Sequence, residues 1–429
     1  MHEPRYGFLR YRSLLVHVAV VGAGVIGLCT ALYCTARGMK VTVVERHGAE
    51  RDGCSYENGG MVVPSHFVPL AAPGMVALGL KWMWDPASPF YIKPRFSWRL
   101  AEWGLKFWRA SSEAHVRRAA PLLRDLTLAS RACFEELAAR DDFGFVKSGM
   151  VVLCRTAAAL EEEARVAAQA RELGIGAEVL DAKGVAALEP GIRMDVAGGV
   201  HYPLDCRLAP DRFMAALQRR LDEAGVRFVW NTAVAGWRTA RGAIRAVRTS
   251  EGDEIEADEF VLSSGSWSSA LARPLGVHLP MEAGKGYSLT LPSPAAAPRM
   301  GAILSEARMF VTPIGGRLRF GGTMEIAGLN EDINPVRVRG LIDAASRYYP
   351  DIKPADFEGV RPWRGLRPCS PDGLPYIGRS RRCANLVVAA GHAMMGVSLG
   401  PITGQLAAGI LAGERPGVDL GLVSPDRYH

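Results

Sequence analysis

Residues 16–21 form an unbroken apolar, β-branched run, the pattern of a strand covered on both faces within a parallel sheet. Gly22-Ala23-Gly24-Val25-Ile26-Gly27 follows. Residues 28–37 then carry helical spacing that stops at Gly38, and residues 40–44 read as a second apolar strand ending at Glu45. Together these make one complete βαβ unit. Between residues 61 and 120 the pattern changes: Pro64, Pro69, Pro73, Pro86, Pro89 and Pro94 stand among aromatics, predicting loops and short helices rather than more sheet. Helical spacing returns over 121–140, a strand over 150–154, and a charged surface helix over 160–173 closed by Gly174. A helix over 210–225 leads into a strand at 226–230 and a hairpin-like pair at 243–249 and 254–257. Residues 260–262 form another buried strand running into the small-residue turn Ser263 to Trp267. Residues 317–320 and 386–390 complete the predicted strands.

The repeated crossing implies two discontinuous domains. Residues 14–60, 195–280 and 355–429 are assigned to a nucleotide-binding domain, and 61–194 and 281–354 to a second, α+β substrate domain. No sequence repeat or low-complexity linker interrupts them.

The 429 residues are 48% hydrophobic and 22% charged, which favours a folded globular protein over a disordered one. The net charge of +7 is spread among acids rather than gathered in a run, and no nucleic-acid-binding motif accompanies it, so no nucleic-acid partner is expected. Eight cysteines fall in no CxxC pair or zinc-like Cys/His array, which points to buried thiols in a reducing compartment and no metal site. The basic opening stretch and the apolar run after it imitate a signal peptide. That run ends in a glycine fingerprint instead of a cleavage site, and no stretch approaches the roughly 18 apolar residues of a membrane span. A cytoplasmic location follows as the expectation.

The fingerprint gains weight from its context, since it follows a strand, opens a helix and is answered by the acidic Glu45 at the end of the next strand. Gly22 permits the tight turn, Gly24 lets backbone amides approach a pyrophosphate, and Gly27 allows close helix packing. The helix start offers its partial positive charge to phosphates through Val25 and Ile26, and Glu45 accepts from ribose hydroxyls. This much does not separate NAD from FAD.

The rest of the chain does. Ser55-Tyr56-Glu57-Asn58-Gly59-Gly60-Met61, Ala71-Ala72-Pro73-Gly74 with Lys81-Trp82-Met83, Lys285-Gly286-Tyr287-Ser288, Gly365-Leu366-Arg367-Pro368 with Pro371-Asp372-Gly373, and Gly391-His392 to Gly396 are the remaining motifs. With them the sequence resembles the D-amino-acid dehydrogenase branch of the flavin-dependent amine and amino-acid oxidoreductases, which includes glycine oxidase, sarcosine oxidase and D-amino-acid oxidase. The resemblance implies a D-amino-acid oxidase-like fold of class α/β: a Rossmann-like FAD-binding domain with a discontinuous α+β substrate domain. It also implies noncovalent FAD. The matching cofactor contacts are Gly22, Gly24, Glu45, Arg46, Ser55 and Asn58, then Gly59, Gly60 and Met61, then Ser264, Gly265, Trp267 and Gly365. At the tail, Met394, Met395, Gly396, Val397 and Ser398 form a glycine-flexed loop that enters a helix over about 401–411. Its amides would face the flavin edge where negative charge collects on reduction.

By the same resemblance Arg367 anchors the substrate carboxylate, a task suited to a bidentate guanidinium. Tyr287 is a candidate second donor, though a strand tyrosine is more often a core residue, and Met61 matches a substrate-side position or equally serves packing alone. Where glycine oxidase carries an arginine in the Gly-His loop this chain has Met394, which argues against glycine as substrate. The implied reaction is hydride transfer from the α-carbon of a D-amino acid to flavin N5, giving an imino acid that hydrolyses to a 2-oxo acid or cyclises. His66 and His392 are nearby candidates for the amine proton, and the neutral Met61 and Met394 suggest D-proline or hydroxy-D-proline. A quinone or other non-oxygen acceptor is the expected electron sink. Trp82, Trp84, Trp98, Trp103 and Trp108 among Lys81, Lys93, Arg95, Arg99, Lys106 and Arg109 could rest peripherally on the inner membrane surface, or form a lid of the substrate domain. A glycine- or sarcosine-type oxidase releasing peroxide and a noncatalytic FAD-binding subunit of a heteromeric complex are the rival readings.

Overall fold

The computed structural model describes residues 16–82 and 88–428, and the side chains of Leu80 and Lys81 are not described. Trp84, Met83, Pro86 and the basic opening stretch, with the predicted domain start at residue 14, lie outside the described residues.

Two sheets organise the chain. The first has six strands, in spatial order Tyr376–Arg379, Leu386–Ala390, Glu259–Leu262, His17–Val21, Lys40–Val44 and Arg227–Val229. All pairs are parallel except the edge pair Tyr376–Arg379 with Leu386–Ala390. The Val-rich strands are buried because helices Val25–Thr35 and Pro210–Glu223 close one face, joined in one core cluster by Phe213, Leu217 and Leu221. The three-stranded sheet Val234–Ala240, Ala243–Thr249 and Glu254–Glu256 closes the other through Trp237, Ile244 and Val247.

The second sheet is mostly antiparallel. Its path runs Trp363–Cys369, Glu282–Leu291, Arg317–Ile326, Met309–Ile314, Gly301–Leu304, Met150–Cys154, Gly198–Tyr202 and Glu178–Asp181, and Phe90–Ile92 joins beside Arg317–Ile326. Two of these strands fall in segments predicted for the nucleotide domain. Gly198–Tyr202 pairs with Met150–Cys154, and Trp363–Cys369 pairs over seven registered positions with Glu282–Leu291, so each is committed to the second sheet by its hydrogen-bond ladder. Helix Pro335–Tyr348 packs on the face that carries Tyr287, Leu289 and Phe320.

Most predicted elements are present, with shifted ends. The first helix begins at Val25, inside the fingerprint, rather than at 28. The helix predicted from 121 spans Glu113–Ala138, because Ser112 caps it by accepting from the His115 amide and Pro121 is accommodated within it. The proline- and aromatic-rich region holds a 13-residue helix, Trp98–Ala110, capped by Ser97. All eight cysteines are free thiols.

Candidate active site

In an open parallel sheet the ligand crevice lies beyond the carboxyl ends of the strands, where the connections diverge. Four strand ends converge here on one cavity of about 410 Å³. Gly22 and Gly24 follow His17–Val21, Glu45 and Arg46 follow Lys40–Val44, Ser264 and Trp267 follow Glu259–Leu262, and His392 follows Leu386–Ala390. Ser55, Asn58, Gly265, Gly396 and Val397 complete this wall, with Val25 and Ile26 at the start of the first helix.

The three fingerprint glycines are bare for different reasons. A side chain at Gly22 (φ +105°) would stand 2.7 Å from the Ser263 carbonyl oxygen, and one at Gly27 would overlap the Gly22 carbonyl. Both are required by the fold itself. A Cβ at Gly24 would meet only Ser55 Oγ, at 3.6 Å, so nothing in the protein demands a glycine there. The space it leaves opens on the cavity. Arg51 also lines this cavity: its Nε donates to Ala23 O at 2.9 Å, while its buried Nη2 has no partner among the described residues. A bare backbone turn, a helix N-terminus and an unpartnered guanidinium nitrogen on one wall fit the pyrophosphate of FAD. Glu45 accepts from the Ala23 amide at 2.8 Å and the His47 amide at 3.1 Å, which fixes its carboxylate at the cavity edge. Arg46 lies 3.5 Å over the Trp267 ring, and Ser55 Oγ accepts from the Val25 amide at 3.1 Å.

Other predicted contacts lie elsewhere. Met394 is 41% exposed, Met395 packs with Leu399 and Ile402, and Ser398 Oγ accepts from the buried Val63 amide at 3.1 Å. The short helical turn Ala393–Met395 sends these side chains away and leaves His392, Ala393, Gly396 and Val397 on the cavity. Gly365 lines a smaller neighbouring cavity with Cys54, Asp52 and Arg364. Gly60 (φ +64°) has no room for a side chain against the Leu208 carbonyl, and Met61 pairs with Arg207 in a short two-stranded ladder.

Arg367 stands between two cavity-lining residues, Leu366 and Pro368, but its side chain turns to the other side of the strand. There the guanidinium lies over Gly286, filling the space of a missing side chain, and Nη1 donates to Thr323 O at 2.7 Å. By register Gly284, Gly286, Ser288, Gly321 and Phe310 share this face. Phe310 covers Gly321 and approaches Gly59, where a Cβ would stand 3.1 Å from its ring. The segment from Cys54 to Gly60 therefore runs between the FAD cavity and a sheet face that carries Phe310, Arg367 and the buried Arg319, whose Nη1 donates to Asn58 O at 2.9 Å. The nearby Cys54 thiol is pushed up by burial, an effect the Arg367 charge opposes.

Tyr287 is not part of this face. The two-residue period of the strand places it opposite Gly286, buried against helix Pro335–Tyr348, where its hydroxyl donates to Glu325 Oε2 at 2.7 Å and accepts from the Asn334 amide at 3.3 Å. Its candidate role as a carboxylate donor is therefore withdrawn. Of the two candidate histidines, His392 lies on the cavity wall, buried, with Nε2 2.9 Å from Thr403 Oγ1. Burial pulls it down to about 3, so it stays neutral at physiological pH. His66 is half-buried, and burial followed by the Arg308 charge lowers it as well. Cys369 is buried with its Sγ 3.8 Å from Met324 Sδ, and burial pushes the thiol up to about 12.

Several residues had escaped the sequence reading. Arg51 carries no motif. Met214 and the segment Thr232 to Val234 line the far end of the cavity, and the usable signal for the latter was their position just past the strand end at 229. Asp372 of the Pro-Asp-Gly motif is bound by Arg427 at 2.7 Å, so that motif is held by the carboxyl-terminal segment.

A parallel sheet whose strand ends shape a dinucleotide cavity, beside an antiparallel sheet presenting Arg367 over a glycine, defines an FAD-dependent oxidoreductase. A family model described as FAD dependent oxidoreductase (DAO) matches residues 17–410, and the chain belongs to that family. A D-amino acid dehydrogenase of Bradyrhizobium diazoefficiens is 34% identical over 423 residues, covering 96% of this chain and 98% of the relative. One of Granulibacter bethesdensis is 32% identical over 423 residues, covering 96% and 100%. Among solved structures, glycine oxidase from Geobacillus kaustophilus superposes with a TM-score of 0.76 at 24% identity, covering 96% of this chain and 100% of that one. L-proline dehydrogenase from P. horikoshii gives 0.75 at 16%, covering 96% and 97%. These two establish the likeness of fold.

Proposed function

We propose that this chain is a D-amino acid dehydrogenase, and that Arg367 is the group that holds the substrate carboxylate. The observation carrying this reading is the guanidinium laid over Gly286, on a strand whose Leu366 and Pro368 line the FAD cavity, where a bidentate anchor would orient an amino acid by its carboxylate. The names of the two relatives above support the substrate class. FAD, when bound, supplies the hydride acceptor at its N5 and the route by which electrons leave. Positioning is the chain's own contribution: Arg367 fixes the carboxylate, Gly286 leaves the room for it, and the neutral His392 adds no charge to the wall. Phe310, over Gly321, and Met61, whose methyl reaches toward Gly301, are apolar neighbours that suit an uncharged side chain, and they favour a D-proline-like ring. Anaerobic mixing with a panel of D-amino acids and their L-enantiomers tests this. Bleaching of the flavin by apolar D-amino acids is expected, and no bleaching by any of them would leave the noncatalytic reading in its place.

The acceptor is proposed to be a quinone, reached at a membrane surface. Helix Trp98–Ala110 supports that reading. Trp98, Leu105 and Trp108 are exposed along one face, Phe96 precedes them fully exposed, and Lys93, Arg99 and Arg109 flank them with exposed charge. Aromatic tips with a basic rim suit an anionic lipid surface. Trp103 does not contribute: it is buried, stacked on Phe107 at 5.0 Å, and donates from Nε1 to Cys369 O at 2.9 Å. Trp82 is half-buried. Among the described residues no helix is long and apolar enough to cross a membrane, so contact would be peripheral. Trp98→Ala with Trp108→Ala should release the protein from anionic vesicles in low salt without loss of flavin. Equal sedimentation of variant and parent would remove this surface from the account.

A further inference from the structure

We infer that Thr323 is a positioning residue for the substrate carboxylate, acting through Arg367 by its carbonyl and offering its own hydroxyl as a further donor. The inference rests on the proposed D-amino acid reaction and extends it to a residue that no sequence motif singled out.

The starting point is a fault in the sheet. Strands Glu282–Leu291 and Arg317–Ile326 pair Lys285 with Glu325 and then Tyr287 with Gly322. One residue on the first strand, Gly286, thus faces two on the second, Thr323 and Met324. This is a β-bulge placed under the Arg367 guanidinium. One common bulge sets its first residue in the left-handed region and takes glycine there. This chain offers Gly321 and Gly322 just before the position but sets Thr323 in it, at φ +64°. Among the described residues it is the one β-branched residue with positive φ, a conformation that costs such side chains more than any other.

The strained backbone does something specific. It turns the Thr323 carbonyl out of the ladder toward Arg367, whose Nη1 donates to it at 2.7 Å. That bond aligns one edge of the fork, and Gly286 removes the obstruction beneath it. The side chain carries a second anomaly. Thr323 is 7% exposed, and its Oγ1 is buried with no hydrogen-bond partner among the described residues. A hydroxyl in that state is expensive to keep unless something absent from the free protein completes it. A bound carboxylate does so, because its two oxygens accept about four hydrogen bonds and a guanidinium edge supplies two. Strain and an unpaired hydroxyl on one residue, bonded to the proposed anchor, give the assignment its content: the carbonyl aims Arg367 and the hydroxyl donates to the same carboxylate.

Glycine would relieve the backbone, valine would keep the branch and remove the hydroxyl, and serine would keep the hydroxyl. Each is made in the FAD-loaded full chain and measured by steady-state kinetics with an artificial dye, by flavin content and by thermal melting. Thr323→Val should raise KM for the D-amino acid about tenfold with kcat changed less than about twofold, and Thr323→Ser should restore KM to within about threefold. Thr323→Gly should melt higher than the parent yet lose about tenfold in kcat/KM, because the carbonyl no longer holds Arg367 rigidly. If Thr323→Val does not fold, Thr323→Ala against Thr323→Ser makes the same comparison. A residue with no part in substrate binding gives the opposite kinetic outcome whatever the melting points: unchanged KM in Thr323→Val and unchanged kcat/KM in Thr323→Gly. That result, in a parent enzyme that does turn over D-amino acids, overturns the inference and leaves the reaction standing. A parent whose flavin no D-amino acid reduces overturns both.

Discussion

Substituting Gly24 separates the demands of the cofactor from those of the fold. Its backbone sits at φ −71°, ψ 177°, where any residue is comfortable, and an added Cβ would meet only Ser55 Oγ at 3.6 Å. Gly24→Ala should therefore leave the FAD-free protein as stable as the parent, or more stable by about 0.4–1 kcal/mol through the loss of chain freedom in the unfolded state. Gly27→Ala should behave differently, since its methyl would overlap the Gly22 carbonyl and the turn itself must open. Binding of FAD reverses the ranking of Gly24. If a methyl holds the pyrophosphate away from one or two backbone amides, each a charge-assisted bond of about 2 kcal/mol, the loss is about 2–4 kcal/mol. That corresponds to FAD bound about 30- to 1,000-fold more weakly, and Gly24→Val, which is larger, should fail to retain it. The assay is removal of flavin, thermal melting of the FAD-free forms, and titration with FAD followed by fluorescence quenching. Parent-like FAD affinity in Gly24→Val, or a Gly24→Ala melting point depressed as far as that of Gly27→Ala, would refute the placement of the pyrophosphate at this turn.

Further expectations concern the anchor and two buried charges. Arg367→Ala should keep FAD but raise KM steeply, because truncating one partner of a buried charge pair costs about 2–5 kcal/mol; steady-state kinetics with near-parent values would remove it from the site. Asp205 is fully buried and burial pushes its carboxyl up to about 7, against hydrogen bonds from the Ser65 amide and hydroxyl that favour the charged form. A raised folded value means that its contribution is fully present below about pH 4 and lost as pH rises through about 7. Asp205→Asn should therefore melt higher than the parent at pH 8 and no higher at pH 4.5, and an equal offset at both would contradict the assignment. For Asp372, burial alone would raise the carboxyl, but the Arg427 charge and hydrogen bonds hold it below the usual range. Its stabilising contribution is present above about pH 4 and is lost only as pH falls further. Arg427→Leu should cost about 3–5 kcal/mol at pH 7 by denaturant unfolding, since it strands Asp372 without its counter-charge.

What the sequence made legible follows the range of the signal. The fingerprint, Glu45 and the flanking strands are local patterns, and the cavity is built from them as read. Gly365 to Pro368 was legible as a motif, but the bed of Gly286 beneath Arg367 is a pairing between strands some eighty residues apart, which no local period reveals. Tyr287 shows the same limit. Its neighbours carry a family motif, yet whether it faces the anchor or the core depends on strand register, and one residue of difference sends it to Glu325. The tail loop was read at the right place, while the side chains of Met395 and Ser398 turn inward with a short helical turn that composition does not encode. Thr323 and Phe310 were invisible because a bulge and a glycine bed exist only once three strands are aligned.

The most direct test of the account is anaerobic reduction of the FAD-loaded chain by D-amino acids, followed spectrally and then reoxidised either with a quinone or with air. The expected result is loss of flavin absorbance with apolar D-amino acids, D-proline among them, little change with their L-enantiomers, and reoxidation far faster by quinone than by oxygen. A flavin that stays oxidised with every D-amino acid while L-enantiomers bleach it, or that reoxidises in air at the full rate with stoichiometric peroxide, would contradict a D-amino acid dehydrogenase.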